Sequence, residues 1–393
     1  MSFDLAIVGG GPAGLATAIF AAQRGLSSVV LDRRELPLDK PCGEGLMPPG
    51  VRLLQEMGVV LPPGSYTPFS GIRYVDGQGE ASAKTRGESD PAAARALIAE
   101  GRFRTGPGWG IRRTVLIEGM VRRALELGCV LRYGVGAGQW HVKADGSVQV
   151  DTHAGPVRAR WLIGADGLHS RIRRDAGLDI SSPGPARYGT RRHFKIRPWS
   201  SSLVEVQWTD GAEAYLTPVG SQEMGVAFLC SGKATRFALL LERFPDLKGR
   251  LSAAPLLSEE RGAGPFRQAV RCRYRGPVAL VGDAAGYLDA LTGEGMSLGF
   301  RCAKALVEVL AQGGALPSYE TAYRRLSRPY YVMTRLLLAI SGRPGLRRRV
   351  MAALAQNPKL FDRLLAMSTG EESLHCQAFV SLALEAAAPF RSG

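Results

Sequence analysis

Cysteine is scarce and scattered. The six cysteines (Cys42, Cys129, Cys230, Cys272, Cys302 and Cys376) include no C-x-x-C pair, which excludes the usual spacing of a zinc site or a disulfide framework. No bound metal and a reducing, cytoplasmic setting are therefore expected. Histidine is scarcer still, with five residues and none in a recognisable catalytic motif. No apolar run approaches the roughly 20 residues that a membrane span needs. Met1-Ser2-Phe3-Asp4 carries an acid where a secretory leader carries basic residues, so no leader is expected here. Internal repeats and low-complexity tails are also missing.

What is present is an ordinary globular composition, 45% hydrophobic and 22% charged over 393 residues, enough for about two to three domains. The formal net charge is +15. An excess of that size suits nucleic acid, an anionic membrane or an acidic ligand. Without a recognition helix, a zinc finger or an aromatic-basic motif, nucleic acid is set aside, and a phosphate-bearing cofactor would absorb part of the charge.

The N-terminus reads strand, glycine turn, helix, strand. Leu5-Ala6-Ile7-Val8 is a continuous apolar strand of the parallel-sheet kind. Gly9-x-Gly11-x-x-Gly14 then opens a small-residue helix with Pro12 and Ala13 at its start, and Asp32 ends the next strand 18 residues after Gly14. The first glycine makes the tight turn, the second admits a pyrophosphate, and the third packs helix on strand. Free N–H groups and the macrodipole at the helix start favour the diphosphate, and Asp32 would accept from a ribose diol. Gly134-Val135-Gly136-Ala137-Gly138 lacks the third-glycine spacing and runs into a strand pattern, so one dinucleotide site is expected.

Further along, a Pro/Gly-rich loop spans 37–50 and residues 71–85 alternate as a hairpin around Gly77-Gln78-Gly79. Helical spacing covers 114–128. From 186 to 275 the chain is strand-rich with one helix near 235–246, and residues 317–371 read as helices broken by Pro329, Pro344 and Pro358. Two more apolar strands end on glycine and aspartate, Gly164-Ala165-Asp166-Gly167 and Gly282-Asp283-Ala284-Ala285-Gly286. Alanine and glycine bury little surface, so the second turn suggests clearance for a planar ligand.

Together with "KPCGEG" (Lys40 to Gly45) and "LTGEG" (Leu291 to Gly295), these stretches resemble the flavin-dependent monooxygenase and geranylgeranyl reductase superfamily. The resemblance spans residues 1 to about 310 and implies an α/β fold: a Rossmann-like FAD-binding domain, an inserted antiparallel substrate sheet and a C-terminal helical segment. The expected division is 1–70, 101–185 and 276–316 for FAD, 71–100 and 186–275 for substrate, and 317–393 for a helical cap. The resemblance further implies FAD held by Gly9, Gly11, Pro12, Ala13, Gly14, Asp32, Arg33, Cys42, Gly43, Asp166, Gly282, Asp283, Gly293, Gly295 and Met296, with NADPH or NADH, or a separate reductase, delivering electrons. Arg113 or its neighbour Arg112 would pair with the diphosphate.

Three reactions share this pattern. Oxygen insertion into a hydrophobic aromatic or polyketide-like molecule of natural-product biosynthesis is the first expectation, and reduction of an isoprenoid C=C bond is the second. "LTGEG", "KPCGEG" and Gly286-Tyr287 lean towards the reductase branch. Ala290 and Ser297 depart from the proline and asparagine common in hydroxylases. A halogenase would need a W-x-W-x-I-P stretch that Trp199 and Trp208 do not form, and Lys84 reads as a surface lysine. A non-catalytic binding module stays as a fourth reading, against which the intact motifs weigh. Catalytic side chains are not evident, and Tyr215, His193 and Cys42 are the weak candidates. The apolar stripe with arginines between 329 and 367 is expected to pack on the flavin domain rather than lie on anionic lipid.

Overall fold

A computed structural model describes residues 2–77, 96–182, 184–199, 202–374 and 376–387. The distal part of the 71–85 hairpin, Lys84 and His375 lie outside the described residues.

Five parallel strands form the centre of one sheet, in the order Val278–Leu280, Val157–Gly164, Ser2–Val8, Ser28–Asp32 and Val130–Tyr133. The apolar runs of the first four are buried on both faces, as a doubly covered parallel sheet demands, while Val130–Tyr133 at the edge is only partly buried. The helices Pro12–Gln23 and Gly295–Ala311 lie against each other over this sheet. Tyr274–Arg275 and the pair Val148–Val150 and Trp140–Val142 add antiparallel strands at its margins.

A second sheet of seven strands runs Arg261–Ala263, Arg187–Lys195, Glu223–Ser231, Ala212–Gly220, Val204–Thr209, Gly71–Asp76 and Leu97–Arg102. It is antiparallel except where Gly71–Asp76 meets Val204–Thr209. Gly71–Asp76 pairs antiparallel with Leu97–Arg102. A small three-stranded sheet, Gly45–Leu46, Gly108–Ile111 and Tyr66–Phe69, sits at the junction of the two layers.

Three elements differ from expectation. The single helix near 235–246 is two short ones, Phe237–Leu241 and Pro245–Leu251, because Pro245 fits the first turn of a new helix better than the interior of an old one. Pro344 and Pro358 start helices in the same way (Pro344–Gln356 and Pro358–Thr369). Pro329, by contrast, lies inside the 26-residue helix Leu316–Ser341. An interior proline costs about 3 kcal/mol, but Tyr319, Tyr323 and Tyr330 are almost completely buried against the parallel-sheet core around it. Packing overrides propensity there.

The third difference concerns what the C-terminal stripe covers. Met333, Ile340, Val350, Leu354, Phe361, Leu364 and Leu365 share one core with Ile72, Tyr74, Val206 and Trp208 of the seven-stranded sheet. The first part of the long helix, Leu316 to Tyr331, packs on the core of the parallel sheet, and the helices after it pack on the second sheet. No helix among the described residues is long and apolar enough to cross a membrane.

Candidate functional site

Every acid picked out in the strand-end motifs lies at the carboxyl end of a parallel strand, the edge where open α/β sheets bind ligands. The backbone ties these ends together. Gly9 N–H donates to Leu31 O (2.8 Å), Ala165 N–H to Val8 O (2.8 Å) and Val281 N–H to Gly164 O (2.9 Å).

The three motif glycines divide their work in a way the sequence half revealed. A Cβ on Gly9 would come within 2.3 Å of Ala165 O, and one on Gly14 within 1.9 Å of Gly9 O. Both are small because the chain closes on them. A Cβ on Gly11 would meet nothing within 4 Å. Gly11 therefore opens a bare stretch of backbone at the start of the Pro12–Gln23 helix, whose N-terminus has no side-chain cap. That is the cradle an anionic diphosphate needs.

Positive charge faces it. Arg113, at the start of the Arg113–Glu126 helix, has a buried Nε with no hydrogen-bond partner among the described residues. Burial opposes its charge, but Cys42, Asp283 and Glu44 more than offset that and hold its pKa above the ordinary value. Arg112 points elsewhere, into an ion pair with Glu223 of the second sheet, and its Nε lies 3.9 Å from Glu44. Of the two arginines, Arg112 is tied to Glu223, whereas Arg113 lies beside Cys42, Asp283 and Glu44. Lys40 joins the same group: burial and Arg34 push its ammonium pKa down, against Asp283 and Asp32. Burial holds the Asp283 carboxyl above its usual range although Lys40 and Arg113 draw it back.

Asp32 is engaged from two sides. Its Oδ2 accepts from Gly10 N–H (2.9 Å) and its Oδ1 from Arg34 N–H (3.0 Å). Burial works to raise its carboxyl, and the Arg34 and Gly10 hydrogen bonds outweigh that and leave it below the ordinary value. The adjacent arginine that matters is Arg34, while Arg33 is exposed.

Asp166, half-buried, is held by the turn that follows it. Its Oδ2 accepts from Arg171 N–H (2.7 Å) and Ile172 N–H (3.2 Å), and its Oδ1 from Ser170 Oγ. It satisfies the free amides at the start of the short Arg171–Asp175 helix, a capping role.

The clearance reading of Gly282 to Gly286 also needs correction. A Cβ on Gly282 would lie 2.7 Å from Ala13 Cβ, and Ala284 and Ala285 are fully buried. Gly282 is small because the first helix presses on it. The void behind Asp283, lined by Tyr287, Leu298 and Cys302 among others, measures about 10 Å³, room for roughly one water. Open backbone is found instead at Gly11 and Gly43, whose Cβ atoms would meet nothing within 4 Å. Gly293 and Gly295 are confined by Met47 and by the Tyr287 ring, and Met296 is partly buried against the main core.

The loop "KPCGEG" forms a wall. Glu44 has a positive φ of 58° and is 1% exposed. Its Oε1 accepts from Arg113 N–H (2.8 Å) and its Oε2 contacts His193 Nε2 (2.5 Å). Thr217 Oγ1 donates to Gly43 O (2.7 Å), stitching the loop to the second sheet. Cys42 Sγ accepts from Glu44 N–H (3.3 Å) beside Arg113 and stays partly exposed. His193 is fully buried, with Nδ1 facing Ser258 Oγ (2.8 Å) and Arg191 Nη1 (2.9 Å). Both of its ring nitrogens are committed, so it holds Glu44 rather than meeting a substrate. Tyr215 likewise gives its hydroxyl proton to Leu291 O (2.9 Å) and steadies "LTGEG". Neither is placed to do chemistry.

The sequence reading passed over Lys40, Glu44, Arg34 and Tyr133, whose hydroxyl donates to Gly10 O (3.0 Å). Lys40 and Glu44 had a signal, being the charged residues of a loop already suspected. Tyr133 had none.

An uncapped helix start, an open glycine and a buried guanidinium whose Nε lacks a partner among the described residues together fit a dinucleotide diphosphate. Comparison with known proteins agrees: residues 2–234 match the family described as FAD binding domain. The chain belongs to this family. It is 28% identical over 84% of its length to the menaquinone reductase of Mycolicibacterium smegmatis, 81% of which is covered. It is 28% identical to digeranylgeranylglycerophospholipid reductase 1 of Methanopyrus kandleri, over 79% of this chain and 81% of that one. A 3-(3-hydroxy-phenyl)propionate/3-hydroxycinnamic acid hydroxylase from Mycobacterium sp. strain JLS is 26% identical, over 83% of this chain and 58% of the hydroxylase. Among solved structures, a flavoprotein/dehydrogenase from Cytophaga hutchinsonii superposes with a TM-score of 0.77 at 18% identity, covering 94% of this chain and 93% of the other. The protein is an FAD-dependent oxidoreductase.

Proposed function

We propose that the chain reduces a C=C bond of an isoprenoid-type lipid, using FAD reduced by NADPH or NADH. The observation that carries this reading is the buried anchorage of "KPCGEG". Glu44, fixed by Arg113 N–H and His193, makes the reductase-leaning loop an integral wall beside Arg113 and Asp283. The two reductase relatives support the same reading.

Bound FAD, once reduced, would supply the hydride with its electron pair. Gly11 and the helix start would hold the diphosphate, with Arg113 and Lys40 as counter-charges and Asp32 near the ribose. Cys42 and Gly43 would face the ring system. The apolar cluster of Leu229, Phe266 and Leu291 with Tyr287, Ala290, Leu337 and Leu338 would border an apolar chain and exclude water. No side chain of the wall need exchange electrons; positioning and dryness are its contribution.

Hydroxylation of an aromatic or polyketide-like molecule is the second reading, supported by the hydroxylase relative. The two part on product mass. Incubated without oxygen with a prenylated quinone or a geranylgeranyl lipid and NADPH, the enzyme should yield product heavier by two hydrogens. A product that gains one oxygen atom and forms only in air would replace this reading with the hydroxylase one.

A further inference from the structure

The apolar stripe of the C-terminal helices is used up in packing on the two cores, so their outer surface is set by their charged residues. From Leu316 to Thr369 the chain carries ten arginines and lysines against two acids, a net +8 out of +15 for all 393 residues. Both acids are already engaged. Glu320, 8% exposed, pairs with Arg273 and Arg324 (2.9 and 2.8 Å), and Asp362 accepts from Arg102 N–H (2.6 Å). Among the cations, Arg347 is buried between Asp76 and Asp210.

The outer face of the Leu316–Ser341 helix keeps its charge in the open. Arg325, Arg328, Val332, Arg335 and Ala339 follow one another at steps of three and four, which sets them on one stripe about 21 Å long. All but Val332 are exposed. Arg325, Arg328 and Arg335 make no ion pair among the described residues, and Arg335 lies 5.9 Å from the Tyr331 ring centre. Exposed Arg343 continues the row, its Nη1 donating to Ala339 O (3.0 Å). Like charges three or four residues apart oppose a helix, so a row with no carboxylate between its members suits a face completed by an anionic partner. Beside the row the surface turns apolar. Half-buried Leu338, three residues on from Arg335, packs on the cluster of Leu229, Phe266 and Leu291. A straight cationic row with an apolar border matches a plane of headgroup phosphates over acyl chains better than a nucleic acid, which offers no apolar layer.

We propose that this arginine stripe docks on an anionic lipid bilayer and brings the apolar cluster at Leu338 against the lipid from which an isoprenoid substrate would come. The docking stands on charge and exposure, while its purpose rests on the reductase reading.

The whole FAD-loaded chain should float with vesicles of phosphatidylglycerol and phosphatidylcholine, and not with phosphatidylcholine alone. Binding should be lost at about 1 M salt, where charges are screened beyond about 3 Å. Arg325→Gln, Arg328→Gln and Arg335→Gln combined should weaken it roughly a hundredfold, at about fivefold per arginine, with flavin absorbance and melting temperature unchanged. Arg122→Gln, Arg158→Gln and Arg171→Gln combined remove the same charge from half-exposed side chains of other elements and should weaken it far less. Equal loss in the two triple variants, or equal binding to neutral vesicles, overturns the docking. Tighter binding of the parent to a duplex oligonucleotide than to the anionic vesicles, lost in the first variant, would also overturn it and give the face to nucleic acid. Stripe-dependent flotation of a protein whose product gains an oxygen atom would keep the docking and remove the reductase reading.

Discussion

Gly11 and Gly14 are three residues apart and face opposite tests. The site at Gly11 is open and its φ is −79°, so Gly11→Ala should leave the stability of the FAD-free protein within about 0.5 kcal/mol, as at unconstrained positions. The new methyl would fill the cradle, and the FAD dissociation constant, measured by flavin fluorescence titration, should rise at least tenfold. Gly14→Ala should fail earlier, in folding yield, because of its 1.9 Å clash with Gly9 O. Arg113→Leu should also weaken FAD at least tenfold and Arg112→Leu much less, since Arg112 is spent on Glu223. Glu294 gives a pH signature. Its folded pKa is raised, so the unfolded chain binds fewer protons than the folded one between the ordinary glutamate value and about 8. The parent should therefore lose stability relative to Glu294→Gln as pH rises through that window, by at most about 1.4 kcal/mol per pH unit. The gap should level off above pH 8, read as the difference in melting temperature across buffers.

The elements taught a different lesson about legibility. The strand–glycine–helix–strand opening could be read because its signals are local: apolar run, spaced glycines, acid. Pro344 and Pro358 could be read as punctuation, and each does begin a helix. Pro329 could not, because its exception depends on tyrosines that pack against residues distant in sequence. The same long-range origin hid the pairing of His193 with Glu44, 149 residues apart, whereas the capping role of Asp166, only four to six residues from its partners, was within local reach. Tyr330, one residue after Pro329, shows what the unbroken helix achieves. Its hydroxyl accepts from Leu288 N–H and Asp289 N–H (3.1 Å each) and donates to Asp289 O (2.8 Å). Tyr330→Phe would leave those buried groups unpaired and should destabilise the protein by about 1–3 kcal/mol, with weaker FAD retention on gel filtration as the accompanying sign.

Across the whole molecule, the two sheets are bolted together by buried charge. Arg187 of the second sheet reaches Glu213 and Asp289 at 2.8 Å each, and Asp289 belongs to the loop leading into "LTGEG". Burial raises both carboxyls while Arg187 draws them back. Removing one partner of such a set strands the others, so Arg187→Leu should lower stability by about 3–5 kcal/mol in chemical denaturation. Arg187→Lys should recover only part, lacking the fork that serves two carboxylates.

The order of strands in the parallel sheet has a consequence for how the protein comes into being. The glycine cradle lies within the first 14 residues, yet its neighbour strand Val157–Gly164 pairs on its far side with Val278–Leu280, and Asp283 follows only then. Chains emerge from the ribosome at about 5–20 residues per second, so the earliest-made turn must wait tens of seconds or less for its last wall. Pairing across such separations is intrinsically slow and leaves apolar strand edges uncovered meanwhile. Cofactor capture is therefore a late event in biogenesis. Shortage of flavin during expression should leave apoprotein that takes up FAD added after synthesis, read as flavin absorbance returning on incubation.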